Sequence, residues 1–311
     1  MFSELPKLFD RNFAIGFFLP VALFLIAALS VLAGIPAVSA HLAVGTKDLV
    51  TGLTAAAVAT WGLAIGLVAL NYVLIRFLEG YYWPLNRWGF LKKRQVDRWK
   101  SLSKELDELE NEWVTHAKEY GNPPRELVDK RNQLMRRRVS EFPDEQGLIL
   151  PTAFGNIVRA FETYPRIMYG IDSIPGWIRL LSVIPKDFQT YIESAKAHLD
   201  LCVNFLYLSV LLGLICVVRL SFAFDTWTLV LLALSLAIAA GMYSTAKGAA
   251  RHWGTFVKAA FDLHLDALAA KLGYTKLPRT ANARRTFWYQ ISQSLIYHLP
   301  LDRSRERLSY K

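Results

Sequence analysis

The chain has 311 residues and a formal net charge of +10. It is 53% hydrophobic and 20% charged, with a mean hydropathy of +0.24. This combination argues against an ordinary soluble protein and indicates a membrane protein with its apolar residues concentrated in a few segments. Cys202 and Cys216 lie in one predicted helix, about 21 Å apart at 1.5 Å per residue, which excludes a disulfide between them.

Four segments are long and apolar enough to cross a bilayer as helices. They cover approximately residues 12–34, 52–75, 201–224 and 227–243. Short connections join the first segment to the second and the third to the fourth, so we predict two helical hairpins. The first segment is longer than the apolar core of a secretory signal, and we expect it to be retained as an anchor.

Basic residues set the predicted orientation. The first hairpin connection carries only Lys47 and the second carries no Lys or Arg, whereas seven basic residues lie within 76–100. We therefore predict a multipass protein of a bacterial inner membrane. Both connections would lie outside, and both termini would be cytoplasmic.

The predicted fold class is all-α, with four transmembrane helices and a helical cytoplasmic module. The expected divisions are a transmembrane hairpin at 1–78, the module at 79–200, a second transmembrane hairpin at 201–246 and a basic tail at 247–311. The tail holds 12 Lys or Arg against 4 Asp or Glu, a net +8. Such a tail favours contact with a bilayer that carries anionic headgroups.

Few polar groups interrupt the apolar segments. Asn71 and Asn204 are predicted at similar depths, so we expect a hydrogen bond between them. Arg219, near the outer end of the third segment, is expected to extend to the headgroups. The absence of Asp and Glu from the middle of all four segments argues against a proton-coupled transporter.

The sequence that follows the second segment is aromatic and basic. Tyr81, Tyr82, Trp83, Trp88 and Trp99 stand among Lys and Arg, a composition typical of the membrane interface. The alternative is recognition of anionic lipid or nucleic acid by stacking, and nucleic acid is the less favoured partner.

Residues 97–141 have the pattern of a coiled-coil-like hairpin. Leu102, Leu106, Leu109 and Trp113 form an apolar seam, and a Gly-Asn-Pro-Pro turn follows. The first helix is acidic and the second basic, and folding about the turn predicts the pairs Asp107–Arg138 and Glu108–Arg137. A solvated spacer is the favoured interpretation, and an arm that docks a partner is the alternative.

The segment at 148–185 is the best functional candidate. We predict that Thr152 caps a short helix through Phe161 and that the dipeptide Tyr164-Pro165 ends it. A later helix is expected to start at Lys186 or Asp187 and to continue into the membrane. The candidate ligand- or partner-binding residues are Arg159, Glu162, Tyr164, Arg166, Tyr169, Asp172 and Trp177. Arginines and tyrosines in a broken segment suit an anionic or planar ligand. Alternatively, these residues tie an irregular segment to its neighbours.

Other chemistry has little support in the sequence. Asp262, His264 and Asp266 suggest metal ligands, but on a helix His264 points about 200° away from the two aspartates. No phosphate-binding glycine loop, nucleophile elbow or zinc-protease motif is present. We therefore predict no catalytic residues, no metal and no cofactor.

The motif segment resembles a group of uncharacterised bacterial multipass membrane proteins. Their shared pattern is LPT-x-x-GN-x-x-RA-x-E, followed by YG-x-D and W-x-RL. The matching positions are Leu150, Pro151, Thr152, Gly155, Asn156, Arg159, Ala160, Glu162, Tyr169, Gly170, Asp172, Trp177, Arg179 and Leu180. The resemblance covers about a tenth of the chain. It implies a bacterial inner-membrane location and no particular activity.

The leading hypothesis is a multipass protein whose cytoplasmic module binds a partner or ligand. It would act as an oligomeric membrane effector, pore or scaffold, with a shift of the helix at 187–224 as its switch. One alternative is a membrane-bound enzyme acting on lipid or nucleotide, with Asp172 or Glu162 as base and Arg166 as anion clamp. Another is an accessory subunit of a larger membrane complex.

Overall fold

The computed structural model describes residues 10–34, 49–274 and 276–301. Within these ranges the regular structure is helical and contains no strand, which confirms the predicted all-α class. Most of the first hairpin connection, including Lys47, and the final basic residues at 302–311 lie outside the described residues.

The helices are named here in chain order. They are α1 (Arg11–Leu32), α2 (Leu49–Glu79), α3 (Gly89–Tyr120), α4 (Arg125–Glu141), α5 (Ala153–Tyr169), α6 (Ser173–Leu180), α7 (Lys186–Phe222), α8 (Thr226–Lys271) and α9 (Ala281–Ile296).

Four of these helices are long and apolar enough to cross a membrane, as the sequence predicted. Their most apolar windows have mean hydropathies of 2.6 for α1, 2.0 for α2, 2.5 for α7 and 1.9 for α8. The start of α7 at Lys186 and its unbroken course to Phe222 confirm the predicted continuous helix. The helix of the fourth apolar segment continues beyond that segment to Lys271.

The chain divides into two compact units. The described residues within 1–75 and 193–250 form the first, called here the apolar unit, and those within 76–192 and 251–311 form the second, called here the polar unit. The long helices α2, α7 and α8 each contribute residues to both units.

Aromatic and aliphatic side chains form the core of the apolar unit. Phe13, Phe17 and Val21 of α1 are buried with Ala64 of α2 and Leu208 of α7. The ring of Trp61 stacks on Phe13 with their centroids 5.3 Å apart. A second cluster contains Val31, Cys216 and Leu231.

The predicted hydrogen bond between Asn71 and Asn204 is wrong, because each amide has another partner. The Asn71 Nδ2 group donates to the Asp200 carboxylate over 3.1 Å, and Asp200 also pairs with Lys196. The Asn204 Nδ2 group donates to the Gly16 carbonyl over 2.7 Å. Gly16 lies in a π-helical turn, Ala14–Phe18, a conformation that disturbs the regular backbone ladder and is often found at functional sites.

In the polar unit, α3 and α4 pack against each other in antiparallel directions, but the predicted pairs Asp107–Arg138 and Glu108–Arg137 do not form. The observed register differs by about one helical turn: Arg131 pairs with Glu110, and Arg138 donates to Ser103 over 3.3 Å. The buried seam of leucines, together with the Arg138 guanidinium 4.8 Å above the Trp99 ring, outweighs exposed charge matching.

The predicted end of the motif helix at Tyr164-Pro165 is also wrong. Helix α5 continues through a buried Pro165 to Tyr169. Proline removes one backbone donor and usually ends or kinks a helix. Here the turn that follows is held by hydrogen bonds from Tyr164 and Tyr169 to Asp262 on α8.

The basic tail contains a helix, α9, that its sequence pattern did not predict. Thr280 caps α9 by accepting a hydrogen bond from the Ala283 N–H group. Trp288, Ile291 and Ser292 are buried, at 2%, 3% and 0% exposure. Helix α9 packs against α5 and α6 and thereby belongs to the core of the polar unit.

Candidate functional site

The first half of the motif docks on the end of α2. Thr152 caps α5 by accepting from the Gly155 N–H group over 2.9 Å. Its hydroxyl donates to the carbonyls of Leu78 and Glu79, at 2.8 and 3.1 Å. A helix end leaves carbonyl groups without partners in the helix, so one threonine serves two helix ends and confirms the predicted cap.

Close approach at this junction requires glycine at position 155. A Cβ atom added there would lie 2.9 Å from the carbonyl carbon of Glu79. The neighbouring Asn156 is fully buried and accepts from the Leu150 N–H group over 2.7 Å. Its amide nitrogen donates to the Leu150 carbonyl over 3.1 Å. The glycine and the asparagine at these two motif positions are therefore explained by packing and by hydrogen bonds to the backbone.

A network of charges surrounds Tyr81, immediately after α2. Arg76 pairs with Glu79 over 2.9 Å, and Arg159 pairs with Glu162 over 3.5 Å. The two guanidinium groups lie 4.8 and 5.6 Å from the centre of the Tyr81 ring, within the range of a cation–π interaction. Arg159 also donates to the Tyr81 hydroxyl.

Burial controls the electrostatics of this network. Loss of solvent raises the pKa of the Glu162 carboxyl even though Arg159 and Arg76 lower it. Burial likewise raises the pKa of the Tyr81 phenol. The Arg159 Nε group is buried without a hydrogen-bond partner among the described residues. The network is thus compact, charged and incompletely satisfied.

The second half of the motif contacts α8. The hydroxyls of Tyr164 and Tyr169 both donate to the Oδ1 atom of Asp262, at 2.9 and 2.7 Å. Burial, followed by the Asp262 carboxylate, raises the pKa of both phenols. The Lys258 ammonium lies 5.6 Å from the Tyr164 ring centre.

The remaining candidates lie at three further places. Arg166 pairs with Glu145 over 2.8 Å. Asp172 accepts from the Ser292 hydroxyl of α9 over 2.8 Å, and its own N–H group donates to the same oxygen over 3.0 Å. The ring of Trp177 lies 6.1 Å from that of Phe261.

The seven predicted residues therefore do not line one pocket. Arg159 and Glu162 are together, Tyr164 and Tyr169 are together, and Arg166, Asp172 and Trp177 each have separate partners. The enzyme alternative needs Arg166 beside Glu162 or Asp172. The contacts of these three side chains give that arrangement no support.

Two clefts of the polar unit lie beside the second half of the motif. One, of about 410 Å³, is bordered by Tyr169, Asp262 and Asp266 and by Arg284 and Trp288. The other, of about 540 Å³, is lined by Glu145, Arg166, Gly170, Asn282, Arg285, Thr286 and Tyr289. The residues from α9 were missed, because nothing in their spacing indicated that the tail folds back on the motif.

The three residues that suggested a metal site, Asp262, His264 and Asp266, do not point to a common position on the helix. Asp262 accepts from two tyrosines, His264 lies against the ring of Phe188, and Asp266 lies 3.9 Å from Arg284. Across the described ranges, no group of three or more His, Cys, Asp or Glu side chains is placed to hold a metal ion.

No protein-family model, curated protein or solved structure matches this chain. A functional proposal therefore depends on the contacts of the described residues.

Replacing Gly155 by alanine should destabilise the polar unit by about 1–3 kcal/mol, the usual cost of overpacking, because the added Cβ meets the backbone of Glu79. The matched control is Gly147→Ala, where an added Cβ has no other atom within 4 Å. Chemical denaturation in micelles measures both free energies of unfolding. Equal stability of the two variants would show that the junction is not tightly packed.

Replacing Glu162 by glutamine should change how stability depends on pH. Because the folded pKa of Glu162 lies above its ordinary value of 4.5, the folded state holds the proton more tightly, and this contribution to stability is lost as pH rises through the raised pKa. The free energy of unfolding of the wild type relative to Glu162→Gln should therefore decrease as the pH rises from about 4 toward neutrality and above.

Denaturant unfolding across this pH range makes the measurement. Glu112→Gln, at an exposed position of α3, controls for the general loss of one negative charge. A difference between wild type and Glu162→Gln that stays constant or increases with pH would contradict the raised pKa.

Proposed function

We propose that this chain is an oligomeric membrane effector, pore or scaffold whose cytoplasmic helical module binds a ligand or partner. The contacts of the motif carry the proposal. Thr152 holds the end of α2, Tyr164 and Tyr169 hold α8, and Asp172 holds α9. A ligand that displaces α5 or α6 would therefore act on helices that continue into apolar segments.

Helix α7 provides the second path from the module. It starts six residues after α6 ends, at Lys186, and continues without a break through the third apolar segment. A ligand shifts such an equilibrium only if it binds the two positions of the helix with different affinity. We propose a shift of the helix at residues 187–224 as the switch.

The proposed topology places both hairpin connections outside and the polar unit in the cytoplasm. The asymmetry of basic residues supports it. Trp83, Trp88 and Phe90 are exposed at 74%, 47% and 65%, and the adjacent Lys92 and Lys93 are also exposed. Exposed aromatics and cations that follow an apolar helix suit an interface with anionic headgroups. A bacterial inner membrane is the proposed location.

The surface of α2 supports self-association. Only 11% of its most apolar window is buried, and Gly62 and Gly66 have the small-xxx-small spacing that allows close packing of membrane helices. A Cβ added at either glycine would have no other atom within 4 Å in the part of the chain that the structure describes. We therefore propose a homo-oligomer, with these glycines at the helix–helix contact.

The topology can be tested with single cysteines in a protein that lacks Cys202 and Cys216. Asn122→Cys lies in the exposed α3–α4 turn and Ala223→Cys in the exposed α7–α8 turn. In sealed right-side-out vesicles a membrane-impermeant maleimide should label Ala223→Cys at once and Asn122→Cys only after permeabilisation. The reverse pattern would overturn the topology.

The oligomer can be tested by measuring the mass of the protein in nanodiscs. We expect a discrete homo-oligomer that Gly62→Leu and Gly66→Leu dissociate, because the larger side chains separate the backbones. Gly241→Leu, at another open glycine, is the control. A monomer would contradict self-association, and co-purification of other chains in fixed ratio would favour the accessory-subunit alternative.

A further inference from the structure

The larger cleft of the polar unit presents hydrogen-bond donors from two helices. Its volume is about 540 Å³. One wall is the end of α5, with Arg166 and Gly170, and the other is a single face of α9. The residues on that face follow the i, i+3, i+4, i+7 spacing of neighbouring positions on a helix; they are Asn282, Arg285, Thr286 and Tyr289.

The shape of the cleft is fixed by buried contacts on the other side of α9. Trp288 and Ser292 are buried at 2% and 0% exposure, and Ser292 makes two hydrogen bonds with Asp172. Gly170 has φ +86°, and a Cβ added to it would lie 3.1 Å from the Arg285 Cγ atom. Glycine thus permits α5 to end against α9. Arg285 borders both this cleft and the smaller one.

The lining has the chemistry of an anion site. It contains two guanidinium groups, an amide and two hydroxyls, against one carboxylate, that of Glu145. Arg285 is exposed, and among the described residues its guanidinium has no ion pair. A guanidinium group can donate two parallel hydrogen bonds to two oxygens of one phosphate. The half-exposed Tyr289 adds a hydroxyl and a ring face.

The Glu145 carboxylate pairs with the Arg166 guanidinium at the position that an anionic ligand would take. The two side chains are 2.8 Å apart, with 42% of the Arg166 side chain and 63% of that of Glu145 exposed. An ion pair this exposed contributes little to stability, so an anion with more than one oxygen can displace the carboxylate. Binding would then free Glu145 and place two guanidinium groups on one ligand.

We propose that this cleft binds a phosphate group, as a phosphomonoester or pyrophosphate, through Arg166 and Arg285. The proposal rests on the proposed function, since it names the ligand class and the location of the binding site in the module. Glu145 acts as an internal competitor for Arg166. The same phosphate chemistry belongs to soluble phosphate compounds and to phosphatidate headgroups.

The test is calorimetric titration of the full-length protein, in phosphate-free non-ionic detergent, with pyrophosphate. Arg285→Ala should weaken binding by about tenfold or more, as expected for loss of a charged hydrogen-bond donor. Arg285→Lys, which keeps the charge and loses the fork, should fall between Arg285→Ala and wild type. Glu145→Gln should bind several-fold more tightly.

Arg279→Ala is the matched control, because Arg279 is an exposed tail arginine outside the cleft. Its affinity should equal that of the wild type. Absence of saturable binding to wild type, or equal weakening in Arg279→Ala and Arg285→Ala, would overturn the site. Weaker binding by Glu145→Gln would overturn the role of Glu145 as competitor.

Vesicles distinguish the two sources of phosphate. Phosphatidate in phosphatidylcholine vesicles should displace pyrophosphate from the reconstituted protein if the natural ligand is a headgroup. If it does not, a soluble phosphate compound is indicated; either result keeps the phosphate site. If pyrophosphate does not bind but the topology and the oligomeric mass are as proposed, this site alone is rejected. If pyrophosphate binds as expected but the topology or the mass differs, the site is kept and the proposed membrane arrangement is rejected.

Discussion

A helix that ends leaves its last carbonyl groups without partners in the helix, and at the end of α2 these groups are met by the start of α5. The Thr152 hydroxyl reaches the carbonyls of Leu78 and Glu79 while capping its own helix. The absence of a side chain at Gly155 permits this close approach. The buried Asn156 side chain makes two hydrogen bonds to the backbone of Leu150, in the segment before α5. The position of the whole motif follows from this junction.

The junction also places charged side chains in a largely buried position. Arg159 and Glu162 lie about two and three turns along α5 from the cap, beside Tyr81 and the Arg76–Glu79 pair. Removing one member of such a group leaves its partner's charge buried and uncompensated, which is costly. This explains why Arg159 and Glu162 stay paired within the motif and do not line an open pocket.

The sequence allowed two interpretations of the motif: it binds a ligand, or it holds an irregular segment against its neighbours. Different residues of the motif fit each interpretation. Four motif side chains form hydrogen bonds with other helices, namely those of Thr152, Tyr164, Tyr169 and Asp172. Arg166 differs, because its partner is an exposed loop carboxylate and it borders a cleft with Arg285. The proposed ligand site therefore lies at the edge of the motif, while the motif itself connects the module to α2, α8 and α9.

Hydropathy, helical periodicity and the capping capacity of a threonine determined the all-α class, the four membrane-length helices, the start of α7 at Lys186 and the cap at Thr152. These features depend on properties local to each segment, namely the length of an apolar run or the hydrogen-bonding capacity of one side chain. Only the tertiary structure decided the partners of Asn71 and Asn204, the register of α3 on α4, the course of α5 through Pro165 and the docking of α9. Each of these depends on groups far apart in the chain, whose proximity is set by buried packing and cannot be read from spacing along the sequence.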